Sequence, residues 1–146
     1  MKKLQFTASF LFFLIFIFSC SKTEVVPKTK TDFLIANVWK ANKITEIRSG
    51  KATLIFEKGV TPTTSRDDFN KVRIIFLKDG TFSNINADNG KETGTWKFTN
   101  NENQIEIVTS RSSKVNILYV DKIEEGKLNF SEKDGSDAAQ YELIPE

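Results

Sequence analysis

The chain has 146 residues, with 21 Lys+Arg against 19 Asp+Glu, no histidine and a single cysteine. That length suits one domain with a core of its own, and the near balance of charge leaves no clustered basic footprint for nucleic acid. Without histidine the commonest general base and metal ligand is missing, and one cysteine cannot form an intramolecular disulfide. No metal, cofactor or nucleic-acid partner is expected.

The first stretch, Met1–Cys20, reads MKKLQFTASFLFFLIFIFSC. Lys2 and Lys3 form a basic start, Phe10–Phe18 is unbroken apolar sequence, and Ser19 is a small residue before Cys20. That is the order of parts in a secretory signal peptide. Nine apolar residues fall short of the ~20 that a spanning helix needs. The end of the stretch, Ile17-Phe18-Ser19-Cys20, resembles the lipobox of bacterial lipoproteins. Ile17 and Phe18 depart from that family's usual leucine and small residue. The resemblance implies cleavage after Ser19 and lipidation of Cys20. The expected division is a signal peptide over 1–19, a lipidated tether over 20–31 and one domain over 32–146. Loss of residues 1–19 removes two lysines and six of the 13 phenylalanines, leaving 19 basic and 19 acidic residues. Membrane contact is expected through the lipid on Cys20. Ser21 follows it, the usual outer-membrane choice in the family, which leaves periplasmic or surface-facing placement open.

Ser21–Thr31 is polar, carries Pro27 and reads as a tether. Asp32–Asn37 reads as a short helical turn capped by Thr31 or Asp32. Everything after it reads as strands. Val38–Arg48 is the first, and Ser49-Gly50 turns it back. Ala52, Leu54 and Phe56 then alternate with Thr53, Ile55 and Glu57. Lys58–Lys71 is the one long connection, where a lid or rim loop could sit. Val72, Ile74 and Phe76 alternate up to Asp79-Gly80, and Thr81–Asn86 returns. Asn89-Gly90 turns into Gly94–Phe98. Asp-Gly and Asn-Gly suit the left-handed positions of tight hairpins. Ile105 and Ile107 mark the next strand. Val115, Ile117, Tyr119 and Asp121 share one face of a longer one. Leu128 and Phe130 follow Glu125-Gly126, and Tyr141 and Leu143 follow Asp134-Gly135. Eight or nine short strands joined by tight turns predict an all-β fold. We expect an antiparallel up-and-down meander that closes into a small barrel of about eight strands, with an open sandwich as the alternative.

From Asp32 to Ile144 the chain resembles the lipocalin-like lipoproteins of Gram-negative bacteria. The resemblance rests on Cys20, a polar tether, a short plug and an early Trp39. Phe76-Leu77-Lys78-Asp79-Gly80-Thr81-Phe82 and Thr93-Gly94-Thr95-Trp96-Lys97-Phe98 then follow a strand apart. Asn37 stands where lipocalins proper carry the glycine of Gly-x-Trp. The resemblance implies a lipocalin-like barrel with an apolar-ligand or structural role.

Catalysis has little support. The cysteine is expected to be lipidated, and no serine sits in a Gly-x-Ser-x-Gly elbow. Asp67-Asp68 and Glu124-Glu125 are adjacent pairs, which strands would send to opposite faces. Asn84, Asn86, Asp88 and Gly90 lack the spacing of a calcium loop. We expect no enzyme. Aromatic residues on the apolar phase could fill a dry core, or could line a pocket open at one rim. The candidate pocket residues are Trp96, Tyr119, Tyr141, Phe76 and Phe98. The expected function is binding of a small, largely apolar ligand in the barrel. The alternative is an envelope scaffold, interaction module or hydrolase inhibitor with a filled core, using the Lys58–Lys71 loop. No protein partner is named by the sequence.

Overall fold

The computed structural model describes residues 28–60, 67–112 and 114–146. Helix α1 spans Lys30–Ile35. Nine strands follow: β1 Val38–Arg48, β2 Lys51–Glu57, β3 Arg73–Phe76, β4 Thr81–Ile85, β5 Lys91–Thr99, β6 Gln104–Thr109, β7 Val115–Glu124, β8 Lys127–Asp134 and β9 Asp137–Pro145. Consecutive strands from β3 to β9 pair antiparallel. β9 then pairs along most of β1, and β1 pairs with β3. This closes a barrel of eight strands, with β2 as an extra ninth. Closure leaves those eight strands without a free edge.

β2 and β3 share one edge of β1. β2 pairs with Lys43–Arg48, and β3 with Val38–Lys40. They therefore lie along one line, and the long connection is an insertion into that line. Its last turn is a 3-10 helix, Phe69–Lys71, capped by the Asp68 side chain on the Asn70 N–H. Phe69 packs on Phe56 with centroids 5.8 Å apart, so the insertion is pinned to the core where it rejoins the wall.

Helix α1 starts two residues earlier than expected. Thr29 is its cap rather than Thr31 or Asp32. Asp32 is the third helical residue, and its carboxylate accepts from the Thr29 backbone N–H at 2.8 Å while Thr29 Oγ1 accepts from the Asp32 N–H at 3.1 Å. This reciprocal box satisfies two donors that a helix start leaves open. It holds the Asp32 carboxyl below the usual carboxylate range, mainly through the bond from the Thr29 backbone. The helix plugs one end of the barrel. Leu34 is fully buried, and its carbonyl accepts from Trp39 Nε1 at 2.8 Å. Trp39 is itself fully buried although Asn37 stands in the glycine position. Lys30 Nζ donates to the Glu102 carbonyl at 3.0 Å, tying the helix to the turn after β5.

The core fills the barrel above this plug. Trp39, Ala41 and Ile44 come from β1, Phe76 and Phe82 from β3 and β4, and Trp96 from β5. Phe56 joins it from β2, and Ile105, Ile107, Leu118, Leu128, Phe130 and Leu143 complete it from β6 to β9. Each fully buried side chain of this size is worth about 1.5–3 kcal/mol over its exposed state. Among the described residues, the strands that close the barrel and the buried core lie within residues 34–145, so a chain from Lys28 onward retains all of them.

Two strand phases differ from the expected reading. A bulge at Ile44/Thr45 sets Thr45 opposite Leu54 but Ile44 opposite Phe56. Phe56 is buried, while Leu54 is 49% exposed. In β7 the core side is Leu118, with Val120 and Ile123 packed against the core, and not the phase of Ile117 and Tyr119. A second bulge, between Val120 and Lys122, resets the alternation there.

Candidate functional site

The end of the barrel opposite α1 is open. A cavity of about 610 Å³ lies there, bordered by Glu46, Arg48, Asn116, Glu132, Asp134 and Asp137 among others. These residues occupy strand ends. Glu46 and Arg48 continue the inward phase of Ile44 on β1. Glu132 and Asp134 continue that of Leu128 and Phe130 on β8. Register places Glu132 beside Leu118 on one side and Ala139 on the other. The inner wall thus changes from apolar to charged as the strands reach the rim.

One register step deeper, Tyr141 stacks on Phe130 with centroids 4.9 Å apart. Its hydroxyl donates to Glu132 Oε2 at 3.5 Å. Solvent reaches Glu132 through the mouth, yet the surrounding wall crowds its carboxyl. Burial pushes the Glu132 pKa up, and the Tyr141 bond only partly offsets this. Burial also raises the Tyr141 hydroxyl well above its ordinary value, helped by the nearby Glu132 and Glu46 charges. Glu46 pairs with Arg48, whose Nη2 lies 2.6 Å from Glu46 Oε1. Asp137 accepts from the Ser49 N–H at 3.1 Å, locking the hairpin tips of β1–β2 and β8–β9 together.

Three of the five candidate pocket residues lie in the packed interior. Phe76 and Trp96 meet edge-on at 5.5 Å, and Trp96 and Phe98 at 5.6 Å. The Trp96 indole N–H is already committed to the Leu77 carbonyl at 3.0 Å. Tyr119 borders the cavity, with Lys133 Nζ 4.4 Å from its ring centroid. Tyr141 sits beneath the mouth through its bond to Glu132. The charged rim residues were not among the candidates. Their signal was present in the sequence as polar residues extending an apolar alternation: Glu46 and Arg48 after Ile44, Glu132 and Asp134 after Phe130. Cys20 lies outside the described residues. Among the described residues no helix is long and apolar enough to cross a membrane, and no group of three acidic or cysteine side chains is placed to hold a metal ion.

The closed eight-stranded meander with a helix-plugged end and an open mouth defines a lipocalin-like fold. A solved structure of a lipocalin-like protein from Bacteroides uniformis shares it with a TM-score of 0.51 and 12% identity, covering 77% of this chain and 98% of that one. No protein-family pattern matches the chain. No curated protein matches it in sequence.

Proposed function

We propose that this chain is an exported lipoprotein, anchored through Cys20, whose lipocalin-like barrel binds a small ligand in its open mouth. The observation that carries the binding half is the cavity of about 610 Å³ above a packed floor. That volume falls within the ~300–1,000 Å³ usual for small-molecule sites. The charged lining argues for a ligand with a polar group rather than the wholly apolar one suggested by the aromatic residues. The anchoring half is supported by Met1–Cys20 alone. Two acyl chains on one cysteine, at ~0.8 kcal/mol per buried CH₂, suffice for stable attachment without a helix.

Native mass spectrometry of residues 28–146 after exposure to an envelope metabolite extract tests the first half. A retained small molecule that shifts the amide resonances of Glu46, Glu132 and Asp137 is the expected result. Shifts confined to the outer wall, or no retained mass, would overturn it. For the second half, Cys20→Ala should lose acylation and leave the membrane fraction, and unchanged membrane retention would refute the anchor.

A further inference from the structure

Resting on the mouth as the ligand site, we infer that the ligand carries an organic ammonium group that docks on the Glu132 carboxylate. Glu132 borders the cavity, and its hydrogen-bond partner is the Tyr141 hydroxyl at 3.5 Å. Among the described residues no lysine or arginine stands within 4.0 Å of it. The other charges around the mouth are largely committed. Arg48 holds Glu46 at 2.6 Å. Asp137 takes the Ser49 N–H. Lys133 follows Glu132 in β8 but lies over the Tyr119 ring at 4.4 Å. Lys114, just before β7, and Asp134, at the end of β8, are left at the rim.

Water reaches the Glu132 carboxylate through the mouth, and a ligand that covers the mouth displaces that water and must replace it with a partner for the charge. The upward push on the Glu132 pKa, with burial as its main cause and no cation among its causes, agrees with that geometry. An ammonium group supplies the missing charge and three N–H donors. One can reach the Glu132 carboxylate and another the Tyr141 hydroxyl oxygen, which keeps acceptor capacity while its proton points at Glu132. Ala139, opposite Glu132 on β9, gives the ligand's carbon body apolar contact. A carboxylate ligand would instead meet Glu46, Glu132, Asp134 and Asp137. A neutral apolar ligand would strip water from Glu132 and return nothing.

The test uses residues 28–146 with three matched probes: 2-phenylethylamine, 2-phenylethanol and 3-phenylpropionate. Calorimetry measures affinity at neutral pH, and amide shifts locate each probe. The amine should bind at least about tenfold tighter than the alcohol, as a charge-assisted bond in a partly enclosed site allows. Glu132→Gln should reduce the amine to the level of the alcohol without moving the alcohol, and Glu132→Asp should retain part of the preference. If the alcohol or the acid binds the mouth as tightly as the amine, or if Glu132→Gln leaves the amine unaffected, the ammonium assignment is overturned while the mouth stands as the site. If none of the three moves mouth resonances, both readings fall.

Discussion

Trp39→Phe is the sharpest probe of how the barrel is closed. The indole of Trp39 is fully buried, and its N–H is given to the Leu34 carbonyl at 2.8 Å. Phenylalanine keeps an aromatic ring there but donates nothing. It leaves a buried carbonyl at the end of α1 without the indole, and it vacates the volume of the second ring. An unsatisfied buried acceptor costs about 1–3 kcal/mol, and the partial cavity about 1–2 more, so the total is about 2–5 kcal/mol. Trp96→Phe is the internal control. Its indole also bonds a carbonyl, that of Leu77 at 3.0 Å. That carbonyl sits in a turn whose side chain is 48% exposed, and it already accepts from the Gly80 N–H at 3.1 Å. Losing the indole there orphans nothing, so about 1–2 kcal/mol is expected from packing alone. Urea unfolding of residues 28–146, followed by far-ultraviolet circular dichroism, separates the two. With a slope of about 1–3 kcal/mol per molar, Trp39→Phe should lower the midpoint by about 1–2 M and Trp96→Phe by about half as much. Equal losses, or the reverse order, would mean that the plug does not hold the closed end.

Three further outcomes are expected. At Gly94, between Phe82 and Thr109 in the ladder, an added Cβ would collide with the Val108 carbonyl oxygen and lie 2.7 Å from the Phe82 ring. Gly94→Ala should therefore cost about 3 kcal/mol or more through forced movement of the β5–β6 backbone, measured by thermal unfolding. Thr29→Ala removes one half of the capping box and should cost about 1 kcal/mol, read as loss of amide-exchange protection in α1 before any global change. Glu132→Gln should stabilise the fold in a pH-dependent way. The folded pKa is raised, so the wild type holds its full contribution when Glu132 is protonated, below the ordinary carboxylate range, and loses it as pH climbs through the folded value. The variant's advantage should be near zero at low pH and grow toward neutrality, and an advantage independent of pH would contradict the assignment.

The meander was readable because its turns carry a physical requirement. Ser49-Gly50, Asp79-Gly80, Glu125-Gly126 and Asp134-Gly135 each place a glycine at positive φ, and each ends a strand where expected. The Asn89-Gly90 turn differs in detail, since Asn89 rather than Gly90 takes the left-handed position. Strand phase was harder to read where both faces are apolar. In β7, Ile117 and Tyr119 compete with Leu118 and Val120, and alternation alone cannot choose between them. Bulges add a second obstacle, because one extra residue reverses every later side chain without changing composition. This is why Leu54 and Phe56 part company in β2. The site was less legible than the fold. Aromatic residues draw attention as pocket walls, but Phe76, Trp96 and Phe98 complete one another instead. The mouth is built from charges that ordinary strand ends also carry, and only cross-strand register shows that Glu46, Glu132 and Asp137 converge.

The position of α1 also sets a direction. The chain enters the barrel at its plugged end, where Lys28 lies 3.7 Å from Glu125 and Lys30 reaches the Glu102 carbonyl. With a lipid on Cys20 as proposed, the leash to Thr29 is short, about 30 Å even at full extension. The plugged end would then be the end held nearest the point of attachment, with the mouth at the far end of the barrel. A mouth set away from the attachment point would be reached most directly from the water around the domain.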